Sequence, residues 1–439
     1  MSTWTELERG TVLVFIYLIN CRQMSNAENS QKLMLVLIDG LRYDLYGADM
    51  PNLARIAREG VRAKLTYPVY PTETMPSMYS IATGLYTESH GVVRNNYFNV
   101  NTGEIYSFTK TCNTSEWLDT GAEPIWVTAH FSGMTTGTYM YPGGTVEIKG
   151  VRPDRDVANT EWRWYNLSFQ ERIDDVIAWL REDDLDVILL YFGHLDIVLH
   201  ETGRDSRGTK SKLLEVDTGI GYLLEQLEKY NFLDNMNIIF TSDHGHSIAS
   251  GTIRIWDFIS ENDVAFYLPG NDPIGVLQPK NGRINKVYQK LKNAHPKLKV
   301  YKKNEIPHHY HYKNNDRVLD ILLEAEPPWT LIMSNSSNAT YFEVHGYDPS
   351  YWKMQSIFYA YGPRFKVGYE RGPFDSVDIY PLMCELLGLV PAPCNGSLHN
   401  VKDLLIDNSH WWDRITPTRL LVAIVVMTTI SVLIRLNTM

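Results

Sequence analysis

A chain of 439 residues with 44% apolar and 21% charged residues has ordinary globular composition, which excludes a disordered or low-complexity protein. Its formal net charge of -10 argues against a nucleic-acid-binding surface, because phosphate-tracking proteins cluster Lys and Arg.

In chain order, residues 1–24 read as a signal peptide. Thr11 to Asn20 is a short apolar run after Arg9, too short to span a bilayer; an uncleaved anchor is the alternative. From Lys32 the chain alternates strands and helices. Lys32 to Ile38 is continuously apolar, as a strand buried on both faces should be, and Asp39 follows it. Met50 to Glu59 is helix-like, with Pro51 near its start. An amphipathic helix from Ser168 to Arg181 precedes a second buried strand, Val187 to Phe192, which ends in His194 and Asp196. The long helix Gly208 to Tyr230 precedes a third, Asn237 to Thr241, which ends in Asp243-His244. Ligand sites in open α/β sheets lie beyond the carboxyl ends of the strands. Three strands delivering Asp and His to one edge therefore predict a single site on a single sheet.

The stretch from Gly270 to Lys303, rich in Asn, Lys, Pro and Gly, reads as a peripheral excursion. No repeat or low-complexity linker interrupts residues 32–398, which predicts one catalytic domain, with 399–418 as a stalk. Leu420 to Ile434 is apolar between Arg419 and Arg435 and predicts a membrane-spanning helix over 419–435 with snorkelling arginines. A lipid-anchor signal is the alternative. Sequons at Asn113, Asn166, Asn335, Asn338 and Asn395 suit an extracellular, type I arrangement. Of the cysteines, Cys21 falls in the signal segment and Cys112 is left over. Cys384 and Cys394 lie ten apart and predict a small disulfide loop.

Asp196 and His200 are four apart, which puts both on one face of a helical turn, where they could share a zinc ion. Asp243-His244 at a strand end could turn towards a metal together, and His345 stands in His-Gly-Tyr-Asp. Thr74, before Pro76, has the position of a helix N-cap. His308-His309-Tyr310-His311 looks like a metal tract, but a metal site is disfavoured there, since no nearby carboxylate partners it at ligand spacing. Tyr139, Tyr141, Trp162 and Trp164 are either core or pocket residues.

In order along the chain, LVLIDGLRYD (35–44), YPTETMPSMYSIATGLYTESHGVVRNN (70–96), EPIWVTA (123–129), DIVLHETG (196–203), SDHG (242–245), HGYD (345–348), FYAYGPRFK (358–366) and PAPCNGS (391–397) occur. With these motifs the chain resembles the ecto-nucleotide pyrophosphatase/phosphodiesterase family of the alkaline phosphatase superfamily. The resemblance implies an alkaline-phosphatase-like α/β fold, a large mostly parallel sheet with helices on both faces. It also implies two Zn2+ ions, one held by Asp196, His200 and His345, the other by Asp39, Asp243, His244 and the hydroxyl of Thr74. Thr74 would then be the nucleophile of a phosphodiesterase or nucleotide pyrophosphatase, through a phosphothreonine, with Asn95 donating to a phosphate oxygen. The substrate, a small phosphate ester, would meet Met75 and Asn95, with Tyr139 and Tyr141 as further pocket candidates.

Some residues depart from the family pattern. Met75 replaces an aromatic residue, which weakens an expectation of nucleobase stacking. Glu73 replaces a cation, which disfavours a long anionic tail. Leu199 and Arg94 also depart from it. A lysophospholipid or choline-phosphate ester is the alternative substrate class. A sulfatase is disfavoured, since Thr74-Met75-Pro76-Ser77-Met78 lacks its nucleophile and Arg. A non-catalytic ectodomain would be expected to have lost some of these ligands.

Overall fold

Among the described residues, eight strands build the central sheet: β1 (Lys32–Ile38), β2 (Val61–Ala63), β3 (Thr136–Tyr139), β4 (Arg155–Val157), β5 (Val187–Phe192), β6 (Met236–Thr241), β7 (Phe358–Tyr361) and β8 (Tyr369–Arg371). The computed structural model describes residues 31–45, 50–108, 114–160, 166–334 and 342–407. Every residue of β1, β5 and β6 is buried. Successive strand residues point to opposite faces, so both faces of the sheet are covered, and continuous apolar runs are what such strands require.

The spatial order is β8-β2-β7-β6-β1-β5-β3-β4. Neighbours are parallel except around β7, which runs antiparallel to both β2 and β6. That reversal matters for the site. Phe358, the first residue of β7, pairs with Thr241, the last of β6, so the segment entering β7 arrives at the edge where the parallel strands end.

Two groups of helices cover the sheet. One comprises α1 (Pro51–Glu59), α3 (Phe169–Asp183) and α5 (Arg207–Lys229); in the other, α2 (Thr74–Thr83) packs on α6 (Ile379–Leu387). A shorter helix, α4 (His194–Thr202), follows β5 directly. Local signals fix the starts: Pro51 opens α1, a Ser168/Glu171 capping box opens α3, and the Ser206 side chain caps α5. In α5, Leu213, Val216, Ile220, Leu223 and Leu227 form a buried stripe at helical spacing. Gly219 interrupts it for a reason: a Cβ there would meet the Phe169 ring at 2.3 Å, so α3 and α5 need a residue without one.

The segment read as a peripheral excursion is a folded lobe. Val264–Tyr267, Ile274–Pro279, Leu298–Lys302 and Ile321–Ala325 form a four-stranded antiparallel sheet. Leu277, Val287, Leu291, Val300 and Leu323 share a buried cluster beneath it. Its polar composition belongs to the turns and the outer face, which hid the short strands.

The compact unit runs to Leu404 rather than ending at 398. Val401, between two 3-10 turns, and Leu404, the last residue of the second, stand at the start of the expected stalk and are fully buried. The second unit starts at Leu405, and of it only residues up to 407 are described. The signal segment (1–24), the membrane segment (419–435), Cys21, Cys112, Trp162, Trp164 and the sequons at Asn113, Asn335 and Asn338 lie outside the described residues. Among the described residues no helix is long and apolar enough to cross a membrane. Asn166 and Asn395 are exposed.

The predicted disulfide is not formed: Cys384 and Cys394 are free thiols. Cys384 is buried in α6, where burial pushes its thiol up to about 12, and Cys394 Sγ faces the Gly396 carbonyl at 3.5 Å.

Candidate metal centre and active site

Asp39 leaves β1 and Asp243 leaves the adjacent β6, so neighbouring strand ends carry the two carboxylates to one place. Each has one oxygen tied back and one bare. Asp39 Oδ2 accepts from the Tyr191 hydroxyl at 2.5 Å, and Asp243 Oδ1 accepts from Gly40 N–H at 3.1 Å and His244 N–H at 3.0 Å. Among the described residues, Asp39 Oδ1 and Asp243 Oδ2 are buried with no hydrogen-bond partner. These are the oxygens that approach His244 Nε2, at 3.5 and 3.3 Å. Thr74 Oγ1 stands 3.3 Å from that same nitrogen.

The second group comes from β5 and from the segment entering β7. Asp196 and His200 occupy one face of α4, as their spacing predicts, and His345 joins them. His200 Nε2 and His345 Nε2 lie 3.5 and 3.7 Å from Asp196 Oδ1. In both groups the ligand atoms lie within 4.8 Å of one another.

The histidine tautomers follow from their outer partners. His200 Nδ1 faces the Glu343 carbonyl at 2.7 Å, His345 Nδ1 the Thr72 carbonyl at 2.9 Å, and His244 Nδ1 the Gly245 carbonyl at 3.3 Å. A carbonyl only accepts, so each Nδ1 carries the proton and each Nε2 offers a lone pair. That is the arrangement a metal-ligating histidine needs.

Electrostatics point the same way. Burial, with Asp196 and Asp243 nearby, raises the Asp39 carboxyl well above its usual range, and burial pushes Asp243 up to about 7, with the Gly40 N–H acting against it. Burial also lowers His244 to about 3. Clustered carboxylates with orphaned oxygens and neutral imidazoles suit cations, which would relieve all of these penalties at once. The donor set is oxygen and nitrogen only, as zinc accepts.

A cavity of about 390 Å³ opens over this centre, lined by Thr74, Asn95, Asp196, His200 and His345 among others. Thr74 is the first residue of α2, and the cap position belongs to Glu73. The N-cap role expected of Thr74 is therefore not its own, and its hydroxyl is left for the site. Asn95 Oδ1 accepts from Met75 N–H at 2.7 Å, which leaves the amide NH2 as its end for a ligand.

Three expected pocket residues are elsewhere. Met75 is fully buried and contributes its main chain only. Tyr139 packs on Trp179 and donates to Asp175 at 2.7 Å; Tyr141 is buried and donates to the Met78 carbonyl at 2.7 Å. Both tyrosines are core, where their hydroxyls find local acceptors. Of the His308 tract, Tyr310 stacks on Tyr70 and His311 on Tyr86, and no member belongs to a metal-ligating group among the described residues.

Sequence reasoning missed two features. His246, two residues beyond His244, contacts Asp196 at 2.7 Å; its fifth place in Ser-Asp-His-Gly-His was the available signal. The two departures at Glu73 and Arg94 are one interaction. Arg94 donates Nε–H to Glu73 Oε1 at 2.9 Å and lies 3.6 Å from Asp272 of the antiparallel lobe, while Glu73 Oε2 accepts from Asn95 N–H at 2.7 Å. No spacing rule links positions 73, 94 and 272.

Known proteins share this architecture and sequence. Residues 33–348 match the family model for type I phosphodiesterase / nucleotide pyrophosphatase. Human ectonucleotide pyrophosphatase/phosphodiesterase family member 7 is 38% identical over 394 residues, 86% of this chain and 84% of that protein. Human bis(5'-adenosyl)-triphosphatase is 36% identical over 405 residues, 90% and 87% of the two chains. The structure of murine ectonucleotide pyrophosphatase/phosphodiesterase 5, described as inactive through a threonine-to-alanine substitution and in complex with AMP, is 34% identical. It superimposes with a TM-score of 0.80, covering 86% of this chain and 100% of that one. The chain belongs to the type I phosphodiesterase / nucleotide pyrophosphatase family, on an alkaline-phosphatase-like fold.

Proposed function

We propose that this chain is a two-zinc phosphodiesterase or pyrophosphatase that acts on small phosphate esters outside the cell, with Thr74 as its nucleophile. The observation that carries the reading is the convergence of Thr74 Oγ1 and two orphaned carboxylate oxygens on one histidine nitrogen. Asp39, Asp243, His244 and Thr74 would hold one ion, and Asp196, His200 and His345 the other. Bound there, the ions would supply Lewis-acid charge that favours the Thr74 alkoxide and neutralises the phosphate.

Thr74 Oγ1 attacks phosphorus, the bond to the leaving oxygen breaks, and a phosphothreonine forms; water then cleaves the Thr74 ester and releases the phosphate product. Asn95 donates to a non-bridging phosphate oxygen, where negative charge grows in the transition state. The start of α2 adds the positive end of its dipole. The extracellular placement is supported by the exposed sequons and by the relatives' names as ecto-enzymes, and the C-terminal apolar segment would tether the chain to the membrane.

The wall of the cavity favours a second reading of the substrate. Arg94 is spent on Glu73 and Asp272, and Glu201 also lines the cavity, so the wall offers little free positive charge to a polyphosphate tail. That suits a dinucleotide or a choline-phosphate-type ester better than a nucleoside triphosphate.

Bis-p-nitrophenyl phosphate turnover tests the mechanism. Chelation should abolish it, zinc should restore it, and Thr74→Ala should abolish it with the fold intact. Turnover that survives either chelation or Thr74→Ala discards the reading. Side-by-side assay of a dinucleotide, a nucleoside triphosphate and a phosphocholine ester decides the substrate class.

A further inference from the structure

Four imidazoles surround the metal centre, and one is held differently. His200, His244 and His345 each give Nδ1–H to a main-chain carbonyl. His246 has no such partner among the described residues: its Nδ1 is buried and makes no hydrogen bond to any of them. Its Nε2 instead lies 2.7 Å from Asp196 Oδ1, the oxygen that His200 and His345 approach only to 3.5 and 3.7 Å. A carboxylate oxygen only accepts, so the His246 proton sits on Nε2 and points at Asp196.

The ring is built into its place. It is fully buried, its main-chain carbonyl accepts from Arg42 Nη1, and it lies against Gly40, where a Cβ would come within 2.6 Å of Nε2. Gly40 also has φ +72°, so that position favours glycine twice over.

We propose that His246 is a positioning residue of the metal centre, donating Nε2–H to Asp196 so that the carboxylate is held in the rotamer it presents to the cation shared with His200 and His345. The proposal rests on the two-cation reading above. A direct-ligand role is the competitor, since Asp196, His244 and His246 also fall within ligating distance of one another. That role needs Nε2 as a lone pair, whereas the contact with Asp196 makes it a donor.

Co2+-loaded full-length protein tests this through chelator competition and the visible ligand-field spectrum. The wild type should bind two ions. His246→Ala should weaken one of them about 10–100-fold, the usual cost of losing an outer-shell partner, and leave the other unchanged. His246→Gln, whose side-chain amide also donates, should recover most of that affinity with a wild-type spectrum. Circular dichroism checks the fold, and His246→Asn, too short to reach Asp196, replaces the alanine variant if that fails to fold. Unchanged affinities at both sites in these variants overturn the proposal. So does a glutamine variant as weak as alanine with an altered spectrum, which identifies a lost ligand. A wild type that binds no Co2+ overturns the two-cation reading itself, and this inference with it.

Discussion

The buried centre beneath the cavity takes Asp39, Asp243 and His244 from the ends of adjacent strands, whereas the cavity wall takes Glu73, Arg94 and Asp272 from three separate segments of the chain. Inside, main-chain groups hold the ligands: Gly40 N–H fixes Asp243, and the Thr72, Glu343 and Gly245 carbonyls fix three imidazoles. Outside, charged side chains hold one another. A site anchored by the backbone inherits the stiffness of the sheet and suits chemistry that tolerates little displacement. A wall of mutually paired side chains changes charge with one or two substitutions, and suits the choice of substrate.

If that division holds, the inner end should be the more sensitive part. Asp39→Asn removes charge from an orphaned carboxylate while keeping its size. It should cost about 10³-fold in kcat, roughly 4 kcal/mol, together with one equivalent of bound metal. Kinetics with metal analysis on the same samples checks both. A loss under tenfold breaks the comparison at its strong end.

Asn95 joins the two regions, because Glu73 holds its N–H and Met75 N–H holds its Oδ1. Asn95→Ala should lower kcat by about 10²–10³ with little change in KM, as expected of a donor to developing charge. A KM effect alone would move it to the wall.

The wall itself should respond mainly in preference. Removing Arg94 alone would leave Glu73 buried and unpaired, at a cost of about 3–5 kcal/mol in stability. The paired change Glu73→Gln with Arg94→Gln avoids that. Its turnover of bis-p-nitrophenyl phosphate should stay within about tenfold. The kcat/KM ratio between triphosphate and zwitterionic esters should shift by about 1–2 kcal/mol. An unchanged ratio would remove the wall from specificity.

The same contrast explains what could be read from sequence. β1, β5 and β6 were legible because burial on both faces leaves an unbroken apolar run, and each such run ended in a candidate ligand. The Asp196/His200 pair was legible from helical spacing. The disposition of His345 was not, since it depends on β7 reversing direction, and a four-residue strand carries no sign of its polarity. Glu73, Arg94 and Asp272 could be noticed one by one, but their pairing is made by tertiary packing. The antiparallel lobe that supplies Asp272 was misread because its strands are short and its turns polar.

The inner cluster also makes a prediction about stability. Without metal, the folded chain keeps protons on Asp39 and Asp243 at pH values where the unfolded chain has lost them. Taken alone, these carboxyls should make stability in chelator fall as pH rises from about 4 towards 7, by about 1.4 kcal/mol per pH unit for each carboxyl still protonated. The histidines lowered by burial, His244, His246 and His345, oppose that slope below about pH 7.5, because the unfolded chain protonates them near their ordinary value of about 6.5 while the folded chain keeps them neutral. Zinc, which favours ionised carboxylates, should flatten or reverse the trend. A slope of Tm against pH in chelator that is the same in the wild type and in Asp243→Asn would contradict the protonated pair.

The smallest effect expected concerns a residue that belongs to neither region. The Tyr141 hydroxyl is buried and donates to the Met78 carbonyl in the middle of α2, the helix that begins at Thr74. Tyr141→Phe removes one hydrogen bond and leaves that carbonyl with its helical partner, so the cost should be about 1 kcal/mol of stability. Because the ring keeps its shape and its contact with Trp126, α2 should not move, and kcat and KM should match the wild type. Denaturant unfolding alongside steady-state kinetics separates the two readings of this tyrosine. A raised KM at unchanged stability would place Tyr141 in the pocket after all and carry the substrate wall deeper into the core than the cavity now extends.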